Sequence, residues 1–166
     1  MARKPRQLES ISFRPDGLGS VTDRMAQLAT AGDGWINLIP RMSDDDDDNP
    51  TSLGFLTLFG GGGPGMTMCT WIPGTRDHAA QTQSSLGIAH QTGHRAVTEL
   101  ASRNTAVPQT WVVEQDHPFR GLVLRIPSEE SNELVVTWAL RAVRALGTPR
   151  PVRGWRADIY LPISTS

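Results

Sequence analysis

Side chains able to do chemistry are few in this chain, and their spacing forms no complete catalytic pattern. The four histidines are His78, His90, His94 and His117, and the one cysteine is Cys69. His90 and His94 are four residues apart, which on a continuous helix would put both on one face. Gln91-Thr92-Gly93 lies between them, so the zinc-protease pattern H-E-x-x-H is missing and the glycine breaks the helix. Cys69 falls in the apolar run Met66-Thr67-Met68-Cys69-Thr70-Trp71, where a thiol packs as a small hydrophobe. No metal ligand set is expected. Gln83-Ser84-Ser85-Leu86-Gly87 lacks the first glycine of a nucleophile elbow.

Two other runs suggest chemistry and then fail on detail. Gly60-Gly61-Gly62-Gly63-Pro64-Gly65-Met66-Thr67 has phosphate-loop spacing, but Met66 stands where a lysine must reach the phosphates. It also feeds a strand pattern rather than a helix, so it reads as a flexible turn. Asp44 to Asp48 are five adjacent carboxylates followed by Asn49-Pro50. A calcium loop alternates its ligands and needs a turn glycine. This run has neither and reads as a solvated loop tip.

Two loops concentrate functional groups. The first is His90-Gln91-Thr92-Gly93-His94-Arg95, which delivers a strand into a helix. Unpaired amides there, beside Thr92, Gly93, His94 and Arg95, could hold a carboxylate or phosphate; ordinary capping by Thr92 is the plainer account. The second is Asp116-His117-Pro118-Phe119-Arg120-Gly121, a hairpin tip in which His117 and Arg120 could join the same ligand. Its plainer account is a turn set by Pro118 and Gly121, with Asp116 and Arg120 paired across it. Arg141, Arg144, Arg150, Arg153 and Arg156 cluster late and could meet nucleic acid, but no aromatic-basic strand signature accompanies them.

The elements that must position these groups follow from periodicity. Residues 1–16 read as a tail or edge segment and 17–163 as one domain. Ser20 reads as the N-cap of a helix whose inner face is Val21, Met25 and Leu28, stopped at Gly32-Asp33-Gly34. Strands are expected over Trp35–Ile39, Leu53–Phe59 and Met66–Ile72, then a polar loop over 73–85 and a short strand Leu86–His90. A helix over His94–Arg103 precedes a hairpin with arms Trp111–Gln115 and Gly121–Ile126. Pro127-Ser128-Glu129-Glu130 reads as the start of a last helix, with acids first, Arg141 and Arg144 late, and Gly147 as the stop. Trp155–Leu161 alternates like a strand at an edge or with one face in water. The resulting class is α+β, a mainly antiparallel sheet of six or seven strands with three helices packed on it. A weak echo between Arg24–Trp35 and Arg95–Trp111 raises a duplicated α-β-β unit, with chance similarity the equal alternative.

Composition narrows the setting. A chain of 166 residues can bury about 70% of its unfolded surface without staples. One cysteine excludes an internal disulfide, and Met1 to Ser10 holds no apolar run, so a cytoplasmic protein is expected. A net charge of −1 supplies no general pull toward nucleic acid or membrane. The segments Trp35-Ile36-Asn37-Leu38-Ile39-Pro40, Cys69-Thr70-Trp71-Ile72-Pro73, Gln91–Val97 and Gln115–Gly121 resemble an uncharacterised family of actinobacterial proteins with no assigned activity. That resemblance implies a cytoplasmic single domain and no particular cofactor. The leading expectation is a non-catalytic binding or assembly domain that partners itself as a homodimer or another protein. A small enzyme or sensor for an anionic molecule at the His90–Arg95 turn comes second, and a nucleic-acid-associated regulator third.

Overall fold

Apolar residues at alternate positions give the strands a side to pack under the helices, while residues 36–40, 68–71 and 155–160 are buried at every consecutive position. The computed structural model describes residues 6–42, 67–77, 80–147 and 151–161. In chain order the elements are β1 (Arg6–Phe13), α1 (Gly19–Ala31), β2 (Trp35–Arg41), β3 (Met68–Ile72), β4 (Arg76–Asp77), β5 (Ala80–Gln81) and β6 (Ser84–Ala89). They continue as α2 (Ala96–Ser102), β7 (Val112–His117), β8 (Gly121–Ile126), α3 (Asn132–Leu146) and β9 (Gly154–Leu161). Seven strands make one open antiparallel sheet in the order β1-β9-β2-β3-β6-β8-β7, and β4 with β5 forms a small separate ribbon. The expected α+β architecture is the one the chain adopts.

Register aligns the buried row. Ile36 lies opposite Ile159 and Trp71, Trp71 opposite Leu86, and Leu86 opposite Leu124. That row packs against Val21, Met25 and Leu28 of α1, Ala96 and Leu100 of α2, and Val135, Ala139 and Ala142 of α3. A helix of seven residues, the length of α2, is far too short to be stable by itself in water. Burial of Ala96 and Leu100, both 0% exposed, helps to hold it. Replacing Leu100 by alanine would cost about 2–5 kcal/mol through lost burial and the cavity left behind.

Several expected boundaries move, each for a local reason. Helix α1 starts two residues earlier than Ser20 implies, with Leu18 at the N-cap position and no side-chain cap. Helix α2 starts at Ala96 with Arg95 at the N-cap position, so His94 and Arg95 precede the helix. Pro127 to Glu130 is a turn rather than a helix start, closed by the Glu130 N–H donating to the Pro127 carbonyl at 3.1 Å. The true N-cap of α3 is Ser131, whose hydroxyl accepts from the Leu134 amide. Segment 73–85 is not all loop, since it holds the β4–β5 ribbon and the first residues of β6. The expected strand 53–59, the glycine run 60–65, the aspartates 44–48 and His78 lie outside the described residues.

Strand β9 is the largest departure. It runs between β1 and β2, with its six central residues buried, and it is neither an edge nor half in water. Its polar residues are satisfied by neighbours: Asp158 accepts from the Ser10 hydroxyl at 2.7 Å and lies 3.1 Å from Arg156 Nε. On the next strands the Thr70 hydroxyl donates to Asn37 Oδ1 at 2.8 Å. The helix-strand-strand echo is real as an order of elements, α1-β2-β3 and α2-β7-β8. In the sheet, however, β3 and β8 both lie inward of their partners, while all strands alternate in direction and both helices contact α3. Those two arrangements are mirror images, which no rotation of a duplicated unit can produce. Among the described residues no helix is long and apolar enough to cross a membrane.

Candidate functional site

Two places gather polar side chains, and they sit at opposite ends of the sheet. The first is where β6 ends and β8 begins. Gly121 takes a positive φ of 90°, and a Cβ there would lie 2.5 Å from the Ile88 carbonyl oxygen. Only glycine permits the β7–β8 hairpin to close so tightly against the end of β6. Register then sets Asp116 opposite Leu122 and Leu122 opposite Ile88, with His90 two residues beyond.

The hairpin therefore does fold back over the helix start, and it supplies the anion itself. The Ala96 and Val97 amides donate to Asp116 Oδ1 and Oδ2 at 2.7 and 3.3 Å. The first free amides of α2 are thus taken by the chain's own carboxylate, which would also repel an incoming anion. Asp116 is not paired with Arg120. Arg95 and Arg120 are exposed, as is His94, and no hydrogen bond joins the side chains of His94 and His117. His117 Nδ1 accepts from the Phe119 and Arg120 amides, both at 3.1 Å, so this ring closes its own turn. Thr92 serves its own loop: its hydroxyl lies 3.0 Å from His90 Nδ1 and 3.1 Å from the His94 carbonyl. Gly93, at a φ of 72°, supplies the left-handed bend between them.

His90 is the unusual member. It is 3% exposed, and its Nε2 is buried without a hydrogen-bond partner. Burial lowers its pKa below the ordinary histidine value, and the nearby Asp116 charge opposes that shift in part. Elsewhere, Cys69 is fully buried on the helix-facing side of β3 and burial pushes its thiol far up, so it is inert rather than nucleophilic. No group of three or more metal-ligating side chains occurs among the described residues. The late arginines do not all lie on one surface. Arg156 is buried beside Asp158, whereas Arg141 donates to the Asn104 carbonyl at 2.8 Å; Arg150 lies outside the described residues.

The second place is a cleft of about 300 Å3 between α1 and the start of α3, over the ends of β3, β6 and β8. Trp71, Ile126 and Val135 form its apolar floor, and Thr30, Ser84 and Asn132 stand around it. Among the described residues that line it, Glu130 is the one that ionises. Glu130 Oε2 accepts from Trp111 Nε1 at 3.0 Å and Oε1 from the Ser131 amide at 3.3 Å. Sequence reasoning missed this cleft. Its described walls come from four separate segments, 26–30, 71–74, 82–84 and 126–135, made of ordinary residue types, and the one local hint, Pro127–Glu130, reads more naturally as a helix start.

Comparison of the chain with protein-family profiles, with curated proteins and with solved structures finds no match.

Proposed function

We propose that this chain is a non-catalytic binding domain that holds a small molecule in the cleft between α1 and α3. The observation that carries this reading is the cleft itself: about 300 Å3, with an apolar floor and convergent polar groups on its walls. Small-molecule sites begin at about that volume, with a few polar groups to fix the ligand's orientation. Catalysis by acid and base uses two tuned groups, and among the described lining residues Glu130 alone ionises. The His90 end competes less well, because Asp116, Thr92 and His117 already spend their polar atoms on the fold.

The test uses saturation-transfer NMR with a library of small polar fragments. Binders of the wild-type chain should be lost in Thr30→Phe and in Ser128→Trp. Both residues are exposed on the cleft's rim, so either bulky ring can fill it while the fold survives. Binders indifferent to both substitutions would refute the assignment.

A second reading, self-assembly, is favoured by the β7 edge. Among the described residues this strand pairs on one side only, and Val112 and Val113 on it are 48% and 42% exposed. An open edge with bare valines is a template for another strand, here the same edge of a second copy. A shallow groove with Leu134 and Pro108 lies alongside, reached through the edge-on contact of Trp111 with Trp138. Sedimentation equilibrium should then show a dimer that Val113→Lys converts to monomer. A monomer at about 100 μM, well above the concentrations at which specific dimers of about 1 μM affinity form, would remove this reading.

A further inference from the structure

Resting on the cleft as the binding site, the electrostatics of its walls assign the ligand's charge. We infer that the cleft takes a small organic cation, an ammonium group carried on a short apolar or hydroxylated body.

Glu130 carries the inference. It is partly buried, and its two oxygens accept only neutral donors, the Trp111 indole and the Ser131 amide. Among the described residues no arginine, lysine or histidine forms an ion pair with it. A carboxylate in a cleft, with its charge uncompensated and further lone pairs on both oxygens, attracts a cation more strongly than one in open water. Among the described residues no cationic side chain lines the cleft to receive an anion. The start of α3 does not supply an anion site either, because Ser131 already closes the Leu134 amide.

The remaining walls fit the rest of such a molecule. Trp71 lies in the floor, and indole is the side chain with the strongest attraction for cations. Ile126 and Val135 beside it accept methylene groups. Among the described residues the Ser84 hydroxyl and the Asn132 amide make no side-chain hydrogen bond, so both have capacity for a hydroxyl on the ligand. Thr30 is already committed, donating to the Ala26 carbonyl at 3.0 Å. The division is therefore charge at Glu130, an apolar body over Trp71, and a hydroxyl toward Ser84.

The experiment is an amide-resolved NMR titration of the full chain with ethanolammonium, its neutral analogue ethylene glycol, and acetate. Ethanolammonium should move the Ser84 and Asn132 amides and the Trp71 indole N–H. Its affinity should drop about tenfold in Glu130→Gln, the loss of one charged contact. The Trp111 indole signal should stay in place in that variant, because the glutamine oxygen can still accept its bond. Equal affinity for ethanolammonium in Glu130→Gln, or tighter binding of acetate, would overturn the cation assignment. If ethylene glycol moves the same resonances as strongly as ethanolammonium, the cation class fails while the binding-domain reading stands. If none of the three probes, nor any neutral fragment, moves them, both fail together.

Discussion

His90 shows how one buried nitrogen ties this fold to pH. Its Nε2 has no partner, so a proton added there would place a charge where burial already disfavours it. The unfolded chain binds that proton at about pH 6.5, and the folded chain only below that value. The stability that neutral His90 contributes is therefore whole above about pH 6.5 and is lost as pH falls through the lowered folded value. Chemical denaturation of wild type and His90→Gln between about pH 7.5 and about pH 5 tests this. Wild type should lose more stability over that range than the variant; parallel curves would show that His90 titrates alike in both states. A buried nitrogen without a partner also costs about 1–3 kcal/mol, so a partner-free apolar replacement, His90→Leu, need not destabilise at neutral pH.

At the scale of elements, α2 depends on a residue twenty positions further along. Asp116 ties the Ala96 and Val97 amides to β7, while Arg95 at the N-cap position offers no side-chain bond. Asp116→Ala should therefore cost about 1–3 kcal/mol. It should also speed hydrogen exchange across 96–102 more than across β2. Unchanged exchange in α2 would mean that burial of Leu100 alone fixes the helix.

The same elements show what could be read from residue order. Val21, Met25 and Leu28 at helical spacing, and Leu122, Leu124 and Ile126 at strand spacing, named their buried faces correctly because periodicity is local. The interior position of β9 was hidden because it depends on β1, whose Ser10 lies 148 residues from its partner Asp158. Asp116 looked like half of a turn pair with Arg120, since nothing in the sequence says that the hairpin closes over α2. The helix start at 127–130 misled for a similar reason. Acids after a proline suit a helix N-terminus and a tight turn equally, and Ser131 decides between them only through its bond to Leu134.

Across the whole molecule, the two polar centres divide the labour. Five residue steps of β6 separate the Ser84 end from the Ala89 end, about 17 Å at the rise of an antiparallel strand. A small ligand cannot bridge that distance, so the His90 cluster and the cleft are separate. One end is closed by its own hydrogen bonds, and the other holds open volume beside an uncompensated carboxylate. The most direct test maps, residue by residue, the amide shifts caused by the tightest-binding fragment of a screen that includes both cations and anions. Changes are expected at Ser84, Ile126, Asn132 and Thr30, with His90, Ala96 and His117 still. Changes concentrated at Thr92 to Ala96 and Asp116 to Arg120, with the cleft silent, would contradict it.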